Sequence, residues 1–349
     1  MDLTTGIVLV IVGGALEGLF SLGVTRVRKW RWENIWGLGS LIALVLVPWP
    51  VALLSVPDLF GVFASVSPGL LVITFLFGLG WGLGGIFWGK AIAAVGMALG
   101  VSLLMGMITI VGSPVPLAIN EPAKLIEPGG LTLLAALGVM VVGVVLCAMA
   151  GARRDRELSV DAGSEPTQGP PTPFAVGLLF CLLSGVLSAM LNFGLVFGDP
   201  IRQAASPPEA PNPFAANAIW ALVFTGNYLV NAGYAFFLMY RNRTFGLILS
   251  EGTPTNWFWA FFMGTAWPLG IVLFGIGAGK MGEYGAYVGF PMMLLVAILF
   301  ANLAGALGGE WRGTSPKTRA VMVGGLAVLF VAFAVFSAAN MLLQASQPE

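Results

Sequence analysis

The sequence predicts an all-α integral membrane protein with ten transmembrane helices, built as a 5+5 inverted repeat. First, the chain of 349 residues is 58% hydrophobic and only 9% charged, whereas a soluble domain is about 25% charged. Second, apolar runs of about 20 residues, each able to cross about 30 Å of hydrocarbon, recur along almost the whole chain. Third, a segment of the first half recurs in the second half.

The clearest internal repeat pairs Phe75–Gly100 with Phe261–Ala286. A single offset of 186 residues aligns six identical positions without a gap. The matched pairs are Gly78/Gly264, Trp81/Trp267, Leu83/Leu269, Gly84/Gly270, Gly89/Gly275 and Gly96/Gly282. Weaker matches at offsets of 171 and 184 residues pair Gly14–Gly23 with Gly185–Gly194 and Ile35-Trp36 with Ile219-Trp220. The chain therefore contains two related halves.

The predicted spans divide evenly around one polar segment. The first half holds Leu3–Thr25, Glu33–Ser55, Leu70–Ala91, Gly96–Ile119 and Gly130–Gly151. The second half holds Phe174–Phe197, Phe214–Tyr240, Thr255–Ala278, Glu283–Gly308 and Lys317–Leu343. Residues 152–173 are polar and rich in Pro, Gly and Ser, which predicts a flexible cytoplasmic linker. The expected division is thus a first repeat at 1–151, the linker at 152–173 and a second repeat at 174–349.

Basic residues predict the orientation. Of the 16 Lys and Arg residues, 13 fall in the loops after the odd-numbered spans. The positive-inside rule places those loops in the cytoplasm and both termini outside, which in a bacterium is the periplasmic side of the inner membrane. Positive charge follows the first span rather than preceding it, so this span is expected to be retained. Because five is an odd number, the second repeat must enter from the opposite side, as in many secondary transporters.

Composition excludes several function classes. Net charge is zero, so no nucleic-acid partner is indicated. Cys147 and Cys181 lie in apolar runs and predict neither a disulfide nor a metal site. No nucleotide-binding motif and no polar loop of clustered acids and bases is present, so we expect no cofactor, no metal and no enzyme activity. The chain has no histidine, so proton chemistry near neutral pH would have to use a carboxyl group.

Glu17 is the candidate for that chemistry. It lies near the middle of the first span, where a charged carboxylate is costly and a carboxyl group usually faces a cavity and has a role. The alternative is a protonated structural acid that bonds to a neighbouring helix.

The corresponding helix of the second half carries Ser188 and Asn192. The repeat pairs Ser188 with Glu17 and Asn192 with Ser21. Residues four apart share a helix face, so both helices are predicted to present a polar pair at similar depth, as walls of a substrate cavity. The alternative is hydrogen bonding between helices.

Aromatic and amide residues complete the predicted binding site. Trp81 and Trp267 are related by the repeat and lie well inside their spans, where their rings could stack on the apolar face of a sugar. Asn227 and Asn231, four apart in the seventh span, could line the same cavity or bond a neighbouring helix. The tryptophans nearer helix ends are interpreted mostly as interfacial anchors: Trp30, Trp32, Trp36, Trp220 and Trp311.

Four motifs resemble those of the L-rhamnose–proton symporter family of the drug/metabolite transporter superfamily. They are KWRWENIW at Lys29–Trp36, FLFGLGWGLGGIFWG at Phe75–Gly89, VGM at Val95–Met97 and GEW at Gly309–Trp311. The resemblance extends over nearly all ten spans. It implies a ten-helix fold, sugar uptake and coupling to protons. Tyr287 falls where the family also has an aromatic residue with a hydroxyl group, which implies a role in substrate binding.

The sequence therefore predicts a secondary active transporter that takes up L-rhamnose or a related deoxy sugar together with protons. Glu17 would carry the proton. The predicted sugar-binding residues are Ser21, Trp81, Ser188, Asn192, Asn231, Trp267 and Tyr287. The expected partners are the sugar and the lipid bilayer, and the chain is expected to be a monomer or a homodimer. The alternatives are a transporter of a different small metabolite and a membrane assembly subunit without transport activity.

Overall fold

The computed structural model describes residues 2–20, 22–95, 97–162, 173–250 and 254–346, and in this part of the chain every regular element is helical. The α-helices are α1 Leu3–Leu19, α2 Leu22–Arg26, α3 Trp32–Leu41, α4 Pro48–Ser55, α5 Leu59–Ser65, α6 Pro68–Val95, α7 Met97–Gly112, α8 Pro114–Asn120, α9 Pro128–Ala162, α10 Phe174–Ser188, α11 Met190–Phe197, α12 Asp199–Ala204, α13 Asn217–Asn242, α14 Pro254–Lys280, α15 Gly285–Leu307 and α16 Pro316–Ala345. A π-helical segment spans Ile42–Leu46, and short 3₁₀ helices span Pro122–Leu125 and Phe245–Leu249.

The prediction of an all-helical membrane protein is confirmed. Within the described residues, 9 helical segments are long and apolar enough to cross a membrane. They are Trp32–Ser55, Pro68–Ile92, Leu103–Asn120, Pro128–Leu158, Ala175–Ala204, Asn217–Asn242, Pro254–Lys280, Gly285–Leu307 and Pro316–Ala345. They correspond to nine of the ten predicted spans. The remaining span is divided into the shorter apolar helix α1 and the single turn α2.

Polar contacts between helix ends and loops define two ends of the helical bundle. At the end that we call the basic end, the backbone N–H of Arg28 donates to Asn256 (3.0 Å) and Arg154 pairs with Glu310 (2.9 Å). At the opposite end, which we call the Lys280 end, Asn212 donates to the backbone of Ser55 (2.9 Å). The first turn of α1 lies at the Lys280 end, because Asp2 and Lys280 line one cavity. Helix α1 therefore begins at the Lys280 end, and α2 continues towards the basic end, where Gly23 lies against Trp259 near the start of α14.

Several predicted spans are interrupted by breaks in their helices. The second is π-helical over Ile42–Leu46, just before Pro48, which has no N–H to continue a regular helix. The fourth breaks before Pro114 for the same reason. Its predicted first residue, Gly96, lies outside the described residues. The sixth breaks at Ala189, between α10 and α11.

The predicted linker begins later than the sequence indicates. Helix α9 continues to Ala162, beyond its predicted end at Gly151. Its polar extension is held at the basic end, where Glu157 accepts hydrogen bonds from the backbone of Ser315 (2.7 Å) and the hydroxyl of Thr318 (2.7 Å). The linker residues 163–172 lie outside the described residues.

Close approach of glycines positions the central helices. Helices α1 and α14 are antiparallel, since Gly6 lies against Gly277 and Gly13 against Gly270. A Cβ atom on Gly13 would lie 2.5 Å from the carbonyl oxygen of Gly270. Small residues allow membrane helices to approach this closely, and the approach places the middle of α1 directly against the middle of α14.

Replacing Gly13 by leucine is expected to destabilise the protein, because the new side chain would overlap the backbone of α14. Overpacking of this kind typically costs about 1–3 kcal/mol. The measurement is the fraction of monodisperse protein that survives heating in detergent. The matched control is Gly138→Leu in α9, where a Cβ atom meets nothing within 4 Å. Equal losses in the two variants would contradict the proposed packing constraint.

Candidate functional site

Glu17 lies where α1 packs against α14. Its side chain forms a hydrogen bond with that of Trp267, and because an indole N–H can only donate, the carboxyl group is the acceptor. Its other oxygen, Oε2, is buried and has no hydrogen-bond partner in the described structure. One carboxyl oxygen is therefore held in place, whereas the other is available to a proton or to a hydroxyl group of a ligand.

Trp267 is the centre of an aromatic cluster formed by four helical segments. Its ring stacks on Phe20 with centroids 5.3 Å apart and lies 5.7 Å from the ring of Trp36. It also meets Trp81 edge to face at 5.6 Å. The two tryptophans that the repeat relates are thus in direct contact, and the carboxyl group of Glu17 lies beside them.

Asn231 joins this cluster through Trp36. The Trp36 indole N–H donates to Oδ1 of Asn231 at 2.7 Å. The amide of Asn231 in turn donates to the side chain of Asn227, so these two residues share a face of α13. The cluster therefore contains aromatic rings, amide groups and a carboxyl group, the groups that bind the apolar faces and the hydroxyls of a sugar.

Two tryptophans that the sequence favoured as interfacial anchors have other environments. Trp36 is half-buried in the central cluster, and Trp220 is only 1% exposed. Trp220 stacks on Phe224, whose ring lies 5.9 Å from that of Trp81. The repeat match between Trp36 and Trp220 was the signal in the sequence that could have predicted an interior position for both rings, as the corresponding match did for Trp81 and Trp267.

Asn192 and Tyr287 belong to a second group of residues. Asn192 is fully buried and donates to the backbone oxygens of Gly112 (2.7 Å) and Ala286 (3.2 Å). The hydroxyl of Tyr287 accepts a hydrogen bond from Asn120 (2.9 Å). Tyr287 lines a cavity of about 580 Å³ at the Lys280 end of the bundle. The predicted binding residues are therefore not all in one place: Trp81, Trp267 and Asn231 lie in the central cluster, whereas Tyr287 lines this cavity.

Ser188 and Asn192, which were predicted to share a helix face, contact different neighbours. The helix breaks at Ala189 between them. Ser188 packs against α6, where a Cβ atom on Gly84 would lie 2.6 Å from the serine hydroxyl oxygen, whereas Asn192 bonds to the ends of α7 and α15. Ser21, the remaining predicted residue, lies outside the described residues.

No group of three or more His, Cys, Asp or Glu side chains in the described residues could hold a metal ion. The polar chemistry of the central cluster thus comes from Glu17, Asn227 and Asn231 together with the indole N–H groups.

An all-helical, multi-pass membrane protein with a partly unpaired acid between its central helices has the architecture of a small-molecule transporter. The family model described as L-rhamnose-proton symport protein (RhaT) matches residues 1–341. The chain belongs to the L-rhamnose–proton symporter family, as its motifs indicated, and this is a family of transporters rather than enzymes.

Curated relatives match along almost their whole length. Proteins named L-rhamnose-proton symporter from Yersinia pestis (strain Pestoides F) and Yersinia pseudotuberculosis (serotype O:1b, strain IP 31758) are each 26% identical over 334 residues. The match covers 94% of this chain and 95% of each relative.

Proposed function

We propose that this protein takes up L-rhamnose or a related deoxy sugar together with protons, by alternating access. The observation that carries the proposal is Glu17, with one oxygen held by Trp267 and the other buried without a partner. In a chain of the L-rhamnose–proton symporter family, such a residue is the natural carrier of the coupled proton. A neutral carboxyl group is tolerated at this depth in a bilayer, and a charged one needs water or a partner.

The sugar would bind between the rings of the central cluster. Trp81 and Trp267 contact each other in the described arrangement, so their faces would separate to admit a sugar ring. Hydroxyl groups of the sugar could then bond to Asn231 and to the free oxygen of Glu17. Glu17 would take up a proton from outside and release it to the cytoplasm, which would couple the movement of the proton to the movement of the sugar. Ser21, Ser188, Asn192 and Tyr287 are proposed to bind the sugar along its path.

Alternating access rests on the proposed inverted repeat. One contact in the first comparison has an equivalent at the repeat offsets. Gly78 lies against Val223, and the corresponding residues Gly264 and Gly39 also lie against each other. A second pair of contacts recurs at the centre, where Gly84 packs against Ser188 and Gly270 packs against the backbone of Glu17. Corresponding helices of the two halves thus make equivalent contacts, which is the arrangement that a two-fold axis in the membrane plane would produce.

We further propose the orientation that the basic residues indicate. The basic end would face the cytoplasm and the Lys280 end the periplasm, with both termini outside and the chain in the bacterial inner membrane. The protein would then belong to the drug/metabolite transporter superfamily, and would act as a monomer or a homodimer.

Uptake into proteoliposomes that contain only this protein tests the proposal. With the interior one pH unit more alkaline than the exterior, and one proton per sugar, L-rhamnose should accumulate about tenfold, because about 1.4 kcal/mol corresponds to a factor of ten. A protonophore should remove the accumulation. Other deoxy sugars, tested in parallel, establish the preferred substrate.

Two outcomes of the uptake assay would contradict the proposal. Uptake of other small metabolites but of no sugar would favour a transporter that has the same fold and a different substrate. A purified, folded protein that moves no solute would favour an assembly subunit.

A further inference from the structure

A cavity of about 580 Å³ lies at the Lys280 end, where α8, α12 and the turn between α14 and α15 meet. Its volume is in the range of about 300–1,000 Å³ that is usual for ligand sites. Its polar lining comprises Asn120, Glu121, Asp199, Arg202, Glu283 and Tyr287. Of these residues, only Tyr287 was among the binding residues predicted from the sequence.

The polar groups of this cavity are already ordered by hydrogen bonds. Asn120 donates to Tyr287 (2.9 Å), Glu121 accepts from Tyr284 (2.8 Å), and Arg202 donates to Asp199 (2.6 Å). Further hydrogen-bonding capacity remains on the amide oxygen of Asn120, the second oxygen of Glu121, the other guanidinium N–H groups of Arg202 and the phenol proton of Tyr287. The second oxygen of Asp199 already accepts a hydrogen bond from Gln203 (2.5 Å). Hydrogen-bond donors and acceptors that a ligand could use therefore lie next to each other in the wall of the cavity.

This mixture fits a neutral polyol better than an ion. Three carboxylates and one guanidinium group share the wall, so an anion is not matched, and no three acidic side chains among the described residues are grouped to hold a metal ion. Neighbouring hydroxyl groups of a sugar each donate and accept, and they can use both kinds of group. The lining also includes apolar surface from Leu195, Val196 and Ala286, against which the C–H face of a sugar ring could lie.

A buried donor beside the cavity points to a ligand independently. Trp220 is 1% exposed, and its indole N–H has no hydrogen-bond partner among the described residues. A Cβ atom on Gly275 would lie 2.6 Å from this nitrogen, and Gly275 lines the cavity. The N–H therefore lies directly behind a glycine of the cavity wall. A buried donor without a partner is unfavourable, and a ligand hydroxyl would satisfy it if binding moved this wall.

The cavity is separate from the central cluster but lies on the same helix. Gly275 is eight residues beyond Trp267 in α14, which is about 12 Å at 1.5 Å per residue. We propose that the cavity is an outer sugar-binding site, which the sugar occupies before it reaches Glu17 and Trp267. This proposal rests on the proposed function and on its orientation.

Cysteine protection tests the outer site. Gly279 lines the cavity, and a Cβ atom there meets nothing within 4 Å, so Gly279→Cys should fold. The two native cysteines, Cys147 and Cys181, are buried and would be replaced by alanine in the background.

A membrane-impermeant methanethiosulfonate reagent is added from outside, with and without L-rhamnose. We expect the sugar to slow labelling of Gly279→Cys about fivefold or more. Labelling of Glu209→Cys, on an exposed loop at the same end, should not change.

A second background separates the outer site from the central cluster. Trp267→Ala should remove transport but keep the protection of Gly279→Cys if the sugar binds in the cavity itself. Glu121→Gln or Asn120→Ala should raise the half-protecting sugar concentration about tenfold.

Three outcomes would overturn the outer site. Protection that disappears with Trp267→Ala would show that labelling reports only the central cluster. Absent protection together with pH-driven uptake would overturn the outer site alone. Absent protection and absent uptake would overturn both the outer site and the proposed function.

Discussion

Glu17→Gln is expected to abolish pH-driven accumulation of sugar while leaving sugar binding and equal-concentration exchange measurable. Glutamine keeps the shape of the side chain and can still accept the hydrogen bond from Trp267, but it cannot take up or release a proton. The accumulation ratio at one pH unit should fall from about ten to about one, because a pH difference no longer supplies free energy to the sugar. The two measurements are uptake with a pH gradient and counterflow without one.

The control for this experiment is Glu209→Gln, which removes an exposed carboxylate far from the central helices. It should accumulate sugar like the unmodified protein. A Glu17→Gln variant that still concentrates sugar in response to pH would remove Glu17 from the coupling mechanism. Loss of both accumulation and exchange, in a folded variant, would assign Glu17 to sugar binding or to structure instead.

Alanine at Trp81 or Trp267 is expected to weaken sugar binding at least tenfold, and phenylalanine considerably less. Phenylalanine restores a ring face, whereas alanine removes it. The two positions should differ in one respect. Trp267→Phe also removes the N–H that bonds to Glu17, so it should impair proton coupling more than Trp81→Phe does. Equilibrium binding and pH-driven uptake measure the two effects separately.

Trp257→Ala is the matched control for the ring substitutions. Trp257 is 39% exposed and contacts Trp30 at the basic end, outside the central cluster. Its replacement should leave sugar affinity unchanged. If folded Trp81→Ala and Trp267→Ala variants bind and transport sugar normally, the rings are packing residues and the sugar binds elsewhere.

The class of protein and the central pair of tryptophans could be predicted from the sequence. Hydropathy is a property of each segment by itself, so apolar runs of sufficient length predict membrane helices without knowledge of their neighbours. Trp81 and Trp267 are related because six identical residues align at a single offset of 186. Glu17 stood out since a carboxyl group is costly inside an apolar run wherever the run packs.

The grouping of the site residues was decided only by the tertiary structure. Asn227 and Asn231 share a face and bond to each other within the continuous helix α13. Ser188 and Asn192 have the same spacing but lie on either side of the irregularity at Ala189 and contact different helices. Which neighbours a helix face meets is decided by packing and not by spacing.

The cavity at the Lys280 end depends on segments that are distant in sequence. Asn120 follows the fourth span, Asp199 begins α12, and Tyr287 lies in the first turn of α15. Each residue alone has the local pattern of a helix end. Only the packing of α8, α12 and α15 around one space brings their side chains together, because contacts between distant segments leave no periodic signal in any one of them.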